Sequence, residues 1–221
     1  MEKKLSLGVL ISGSGSNLQS IIDRIEAGAL DARIAVVISN NPSAFGIERA
    51  KKHGIPFRIV DHRNFAARED FDRALIEILH EKKADLIVLA GFMRVLTTTF
   101  LRAFPQKIMN IHPALLPAFP GTHGQQRAFD FGVKISGCTV HFVDDGVDTG
   151  PIIIQAAVPV RENDSAETLA ARILREEHRI YPQAIQWYAE GRLSIEGRTV
   201  LLKNENTLRE IVLHSPALKG F

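Results

Sequence analysis

Apolar runs of strand length alternate with amphipathic segments of helix length over residues 5–111, and the runs are apolar throughout rather than at every second position. A strand exposed on one face would alternate, whereas a strand covered on both faces reads as a continuous apolar run. Residues 5–12, 34–39, 57–60, 86–90 and 108–111 read as such strands. Between them, residues 18–27, 47–53, 69–82 and 97–104 read as helices. Phe71, Leu75, Ile78 and Leu79 recur at helical spacing, and Gly28 and Gly54 supply C-terminal stops. Repetition of this kind predicts an α/β, Rossmann-like fold, with a mostly parallel central sheet and helices on both faces. Beyond residue 111 the pattern changes. Two longer strands, 135–143 and 151–160, predict mixed additions at the C-terminal side of the sheet. A long helix follows over 165–188, capped at Asp164 or Ser165, and residues 193–202 form a hairpin around Glu196-Gly197-Arg198. No linker or repeat interrupts the chain, so residues 1–203 are expected as a single domain and 204–221 as a loose tail.

A chain of 221 residues can bury a sizeable core. Its net charge of +2, with no long run of Lys or Arg, argues against nucleic acid as a partner. No apolar stretch is long enough to span a bilayer, so no membrane partner is expected. The charged N-terminus leads into an apolar run that Gly13 and Gly15 break at once, which a strand and loop explain better than a signal peptide. A single cysteine, Cys138, excludes an intrachain disulfide framework and fits a reducing, cytoplasmic setting. Metal-ligand spacings are missing: there is no HExxH and no CxxC, and Glu176-Glu177-His178 alone makes no zinc site.

The first strand runs directly into Ser12-Gly13-Ser14-Gly15-Ser16-Asn17-Leu18, and a helix follows. Glycines let the backbone approach an anion, and the helix start supplies unpaired amides at its positive dipole end. Ser16 and Asn17 can add side-chain donors. A dinucleotide fingerprint would place a third glycine where Leu18 stands and an acidic residue after the second strand, where the chain has Ser39-Asn40. The loop therefore reads as a phosphate monoester cradle, with a tight ligand-free turn and a dinucleotide site as the alternatives. Neither a P-loop nor a GxSxG elbow occurs.

Asn110-Ile111-His112-Pro113 closes the fifth strand. Side chains two apart on a strand share a face, so Asn110 and His112 point the same way. One is an amide with two donors, the other a ring that titrates near neutrality. Asp148 follows in a glycine-bounded loop between two apolar runs. An amide, an imidazole and a carboxylate suit the stabilisation and proton handling of a tetrahedral intermediate. The plain alternatives are a structural histidine and a turn aspartate. His141 alternates with Val140 and Phe142 and reads as a core or sheet-face residue. His123 sits on a loop where a substrate contact is conceivable, and Cys138 reads as a small core residue.

These residues together resemble the phosphoribosylglycinamide formyltransferase family of folate-dependent enzymes. The resemblance runs to about Leu202. It rests on Ile11-Ser12-Gly13-Ser14-Gly15-Ser16-Asn17-Leu18-Gln19, on Leu89-Ala90-Gly91-Phe92-Met93-Arg94, and on Asn110-Ile111-His112-Pro113. Leu115-Leu116-Pro117, the stretch from Gly137 to Val143, and Asp148-Thr149-Gly150-Pro151 extend it. It implies formyl transfer from 10-formyltetrahydrofolate, as cosubstrate and with no metal, to the amine of glycinamide ribonucleotide in purine biosynthesis. By position it makes Asn110, His112 and Asp148 the catalytic trio. It makes Gly15, Ser16 and Asn17 phosphate contacts, and Glu177 a ribonucleotide contact. Arg68, Met93, Arg94, Val95, Leu96, Asn110 and Asp144 become parts of the folate pocket. Leu174 stands where some members carry a polar contact, so no role is assigned to it.

Asp148, placed beside His112, is expected to raise the imidazole pKa by opposite-charge attraction. The nearest rival is a formyltetrahydrofolate hydrolase, whose family adds an N-terminal domain for which a sheet starting at Leu5 leaves no room. A non-catalytic nucleotide-binding module would explain the glycine loop but not the trio. The expected partners are small-molecule substrates, and the expected assembly is a monomer or weak homodimer.

Overall fold

The computed structural model describes residues 4–204 and 213–216, so the tail expected over 204–221 falls mostly outside the described residues. Five strands, β1 (Leu5–Ile11), β2 (Ala32–Ser39), β3 (Phe57–Ile59), β4 (Leu86–Leu89) and β5 (Ile108–His112), pair in parallel in the order β3-β2-β1-β4-β5. Helices α1 (Ser16–Glu26), α2 (Gly46–Lys52), α3 (Arg68–Glu81) and α4 (Thr98–Ala103) make the crossovers between them. Every expected strand and helix is present, with ends that agree to within two residues.

The period-2 geometry of the strands sorts their side chains into two cores. On one face, Leu7, Val9, Ile11, Val88 and Met109 pack under Leu18, Ile21 and Ile22 of α1. On the other, Leu10, Ile38, Ile87 and Ile108 meet Phe71, Leu75 and Leu79 of α3 and Phe100 of α4. Leu75 and Leu79 are fully buried. Truncating either to alanine would cost about 2–5 kcal/mol through lost burial and the cavity left behind.

The C-terminal half turns the sheet antiparallel. β6 (Ile135–Phe142) pairs with β5, and β7 (Ile152–Pro159) with β6. Helix α6 (Ala166–Ala189) begins with a capping box, in which Ser165 and Thr168 each satisfy the other's backbone amide. It crosses the α1 face and places Leu169, Ile173, Tyr181 and Ile185 in the same core. The helix runs on through Pro182, at the expense of one internal hydrogen bond. The hairpin of β8 (Leu193–Glu196) and β9 (Thr199–Leu202) joins the sheet edge through one parallel pair, Ile152 with Thr199.

One helix is not announced by the sequence. α5 (Gly124–Phe131) buries only Gly124 and Ala128, so its periodicity is too faint to read. His123 occupies its N-cap in the left-handed region and is exposed.

Candidate active site

The chain leaves β1 toward β2 on one side and leaves β4 toward β5 on the other, so the loops after β1 and β4 diverge. A parallel sheet opens its crevice at such a switch point, outside the carboxyl ends of the strands. A pocket of about 190 Å³ lies there, lined by residues 12–17 with Ala90, Gly91 and Met93. The amide of Ser12 donates to the Gly91 carbonyl, and the Met93 amide donates to Ser12 Oγ at 2.8 Å, which ties the two loops together. Ser12 Oγ in turn donates a hydrogen bond to Asn40 Oδ1 at 2.6 Å, at the position where a dinucleotide site would carry an acid.

The glycine-rich loop delivers unpaired donors. Gly15 is the N-cap of α1 in the left-handed region, at φ 68°, and no side chain caps the helix. The first internal bond is from the Gln19 amide to the Gly15 carbonyl, so the amides of the first turn have no intrahelical acceptor. They carry the positive end of the helix dipole. Ser16 lines the pocket and is half-buried. Asn17 is buried, and its Nδ2 donates to Glu177 Oε2 at 2.7 Å across from α6. This joins two residues 160 positions apart. Burial pushes the Glu177 carboxyl above its ordinary value, partly offset by the Asn17 bond. The Asn17 Oδ1 is buried without a partner among the described residues.

The second group sits at the end of β5. Asp148 reaches His112, with Oδ2 3.2 Å from Nδ1, and it accepts from the Gly121 amide at 2.7 Å. Its Oδ1 accepts from Asn110 Nδ2 at 3.4 Å and lies 3.6 Å from His141 Nε2. The predicted trio is therefore brought together, and His141 joins it. His141 is a buried residue of β6, as expected, and its ring also reaches Asn110 and Asp148. It faces Asn110 directly across β5 and β6, in an antiparallel register that runs without interruption from Met109 to His112. The one signal in sequence was the alternation that puts His141 on a single face of its strand.

His112 is buried between two acceptors: Asp148 on Nδ1 and the Phe119 carbonyl, 2.9 Å away, on Nε2. Only the protonated ring donates to both. Even so, burial dominates and holds the ring below its ordinary value of 6.5, against the pull of Asp148 and of the Phe119 carbonyl. The expected pull of Asp148 is present and raises the ring, but desolvation outweighs it. For Asp148, burial would raise the carboxyl, but the contacts from His141 and the Gly121 amide, with attraction to His112, together bring it below 3.8. The surroundings thus favour a carboxylate at Asp148 and work against the charged ring at His112, whose two nitrogens both face acceptors.

The residues assigned by resemblance to a folate pocket line the loop after β4. Met93 and Val95 are exposed at 69% and 58%, and Arg94 is half-buried. The Arg68 Nη2 donates to the Val95 carbonyl at 2.7 Å and holds the loop from α3. Leu96 turns inward and is buried in the α3 and α4 core. Asp144 Oδ1 accepts from the Gly146 amide and from Thr149 Oγ1 at 2.6 Å, which shapes the loop that carries Asp148. Val147 in that loop is half exposed.

The carboxyl edge of the parallel sheet thus carries the helix-start amides after β1 and, at the end of β5, an amide, two imidazoles and a carboxylate. The chain belongs to the formyl transferase family, whose model matches residues 6–185. Within that family its similarities run to phosphoribosylglycinamide formyltransferases. The Haemophilus influenzae phosphoribosylglycinamide formyltransferase is 45% identical over 89% of this chain and 92% of its own length. Glycinamide ribonucleotide transformylase 1 from Symbiobacterium toebii superposes with a TM-score of 0.90 at 53% identity, covering 91% of this chain and 95% of that one. The trifunctional purine biosynthetic protein adenosine-3 of Bos taurus is 46% identical over 89% of this chain. This chain spans only 20% of that protein's length.

Proposed function

We propose that this chain transfers the formyl group of 10-formyltetrahydrofolate to the primary amine of glycinamide ribonucleotide, a step of purine biosynthesis, and that residues 1–203 form the single domain that does so. The observation that carries this reading is the placement of Asn110, His112 and Asp148 together at the end of β5, on the same carboxyl edge of the parallel sheet as the amides that start α1 after β1. The amides of Gly15, Ser16 and Asn17 would take the phosphate and Glu177 the ribose. Exposed Met93, Val95 and Val147 offer apolar surface for the flat ring of a reduced folate.

Attack of the amine forms a new C–N bond at the formyl carbon and puts negative charge on the formyl oxygen. Asn110 Nδ2 donates to that oxygen, and His112 does so once it has taken a proton and its Nε2 has turned from the Phe119 carbonyl. A preorganised donor of this type is worth about 3–4 kcal/mol of barrier. Asp148 organises the proton transfer from the attacking ammonium to the leaving folate nitrogen as that C–N bond breaks. The formyl group already has a competent leaving group, so no covalent enzyme intermediate is needed.

The test is spectrophotometric: release of tetrahydrofolate is followed with 10-formyltetrahydrofolate in the presence and absence of glycinamide ribonucleotide. Turnover that requires the ribonucleotide is the expected result. Equal turnover without it would make the chain a hydrolase.

A further inference from the structure

Three consecutive carbonyls of the glycine-rich loop are held from one side by a single segment, the lead-in and first turns of α2. Asn41 Nδ2 donates to the Ser12 carbonyl at 3.2 Å, the Gly46 amide to the Gly13 carbonyl at 3.0 Å, and Arg49 Nε to the Ser14 carbonyl at 2.9 Å. In a trans peptide the carbonyl and the following N–H point in opposite directions. Anchoring these carbonyls on the α2 side therefore turns the amides of Gly13, Ser14 and Gly15 away from α2, toward the crevice. Successive amides aimed to one side form an anion-binding concavity.

The approach of α2 to the loop is as close as backbone allows. A Cβ on Gly15 would stand 2.6 Å from Gly46 Cα, and one on Gly46 would stand 3.2 Å from Gly15 Cα. Gly15 is held to glycine by the Gly46 backbone, while a Cβ on Gly46 would meet the Ile11 side chain at 2.5 Å as well as Gly15. Arg49 is the only side chain of α2 among these anchors, and its guanidinium is fixed on several sides. Nη1 donates to Gln19 Oε1 at 3.1 Å, and the group lies 5.0 Å from the centre of the Phe45 ring. Gln19 is in turn held by Asp23 Oδ1 at 2.8 Å and His53 at 3.1 Å. A planar fork that bonds a carbonyl and an amide oxygen at once is a task for arginine, not for a point-charge ammonium.

We propose that Arg49 is a positioning residue of the phosphate subsite: by clamping the Ser14 carbonyl from α2, it aims the Gly15 amide at the phosphate of the ribonucleotide. This rests on the phosphate-cradle reading above and adds to it a residue outside the glycine-rich loop. Arg49 acts on one end of one substrate, so its removal weakens recognition of the phosphate and leaves the formyl-transfer chemistry alone.

The experiment compares two acceptors, glycinamide ribonucleotide and the dephosphorylated glycinamide riboside, in wild type, Arg49→Ala and Arg49→Lys, with thermal unfolding of each variant as the folding control. In wild type the ribonucleotide has much the lower KM. In Arg49→Ala its KM rises about tenfold or more, the change expected for losing a hydrogen bond made by a charged group. The riboside KM, the folate KM and kcat stay within about twofold of wild type. Arg49→Lys, which keeps the charge and most of the stem, recovers only part of the loss. A parallel rise in KM for both acceptors, or an unchanged ribonucleotide KM, overturns the proposal. Full recovery in Arg49→Lys overturns it too, by assigning the effect to charge alone. A wild type that does not distinguish the two acceptors overturns the phosphate cradle itself, a failure separate from that of Arg49.

Discussion

Nε2 of His141 lies 3.2 Å from Nδ2 of Asn110, and the two residues are direct partners in the antiparallel register of β5 and β6. His141 Nδ1 faces the Phe142 carbonyl at 2.8 Å, and a ring that carries its one proton there accepts from Asn110 at Nε2. The amide of Asn110 is thereby oriented with its nitrogen toward His141 and Asp148 before any substrate arrives. Preorganised donors cost no reorientation when charge develops, which is the condition for strong transition-state stabilisation.

His141→Ala should therefore lower kcat by about tenfold while leaving both KM values close to wild type, because it loosens Asn110 without removing it. Steady-state kinetics on the folded variant checks this. A kcat equal to wild type would show that the β5 strand alone holds the amide.

Asn110→Ala and His112→Ala should each reduce kcat by about 10²–10³, the usual effect of deleting one oxyanion donor. Asp148→Asn should fold normally and lose activity to a similar degree. If activity of Asp148→Asn returned in full at lower pH, the carboxylate would act only through the charge of His112. Rapid-quench measurement of a single turnover separates these effects from product release.

Burial holds both His112 and His178 below 6.5 in the folded protein. Between the folded value and 6.5 the unfolded chain binds more protons than the native one, so stability rises with pH across that window and is lost as pH falls through it. In a His112→Asn, His178→Asn double variant, the melting temperature should depend less steeply on pH just below 6.5. An unchanged slope would mean that neither ring is held neutral.

Glu177 has the opposite sign. Its pKa is raised above 4.5 by burial, so above that value the native state increasingly carries a desolvated charge and stability falls with rising pH. Glu177→Gln keeps an acceptor for Asn17 and removes the charge. At alkaline pH it should melt higher than wild type by roughly 2–4 °C for each kcal/mol gained, and it should bind the ribonucleotide more weakly. A variant that melts at the wild-type temperature at every pH would disprove the buried-charge cost.

Gly15→Ala meets two obstacles, a positive φ and the Gly46 backbone. It should destabilise the fold by about 1–3 kcal/mol and raise the ribonucleotide KM well above the folate KM. Denaturant melts and substrate titrations check the two effects separately.

Local order was legible in the chain itself. Continuous apolar runs such as that of β4 and the helical spacing of Phe71, Leu75 and Leu79 specify the parallel sheet and its crossovers, because burial on two faces and a 3.6-residue period leave their mark within a few residues. The Ser12–Asn17 glycine loop and the shared face of Asn110 and His112 are likewise local facts. Tertiary structure alone decided the rest. It set His141 opposite Asn110, 31 positions away, through the antiparallel register of β5 and β6. It brought Glu177 to Asn17 and Arg49 to the Ser14 carbonyl. It reversed the net shift of His112, since desolvation depends on everything packed around the ring and not on its one charged neighbour. α5 escaped notice because it buries too little to pattern its sequence. Short-range periodicity encodes which elements form; the chemistry depends on register and burial, which exist only once those elements have packed.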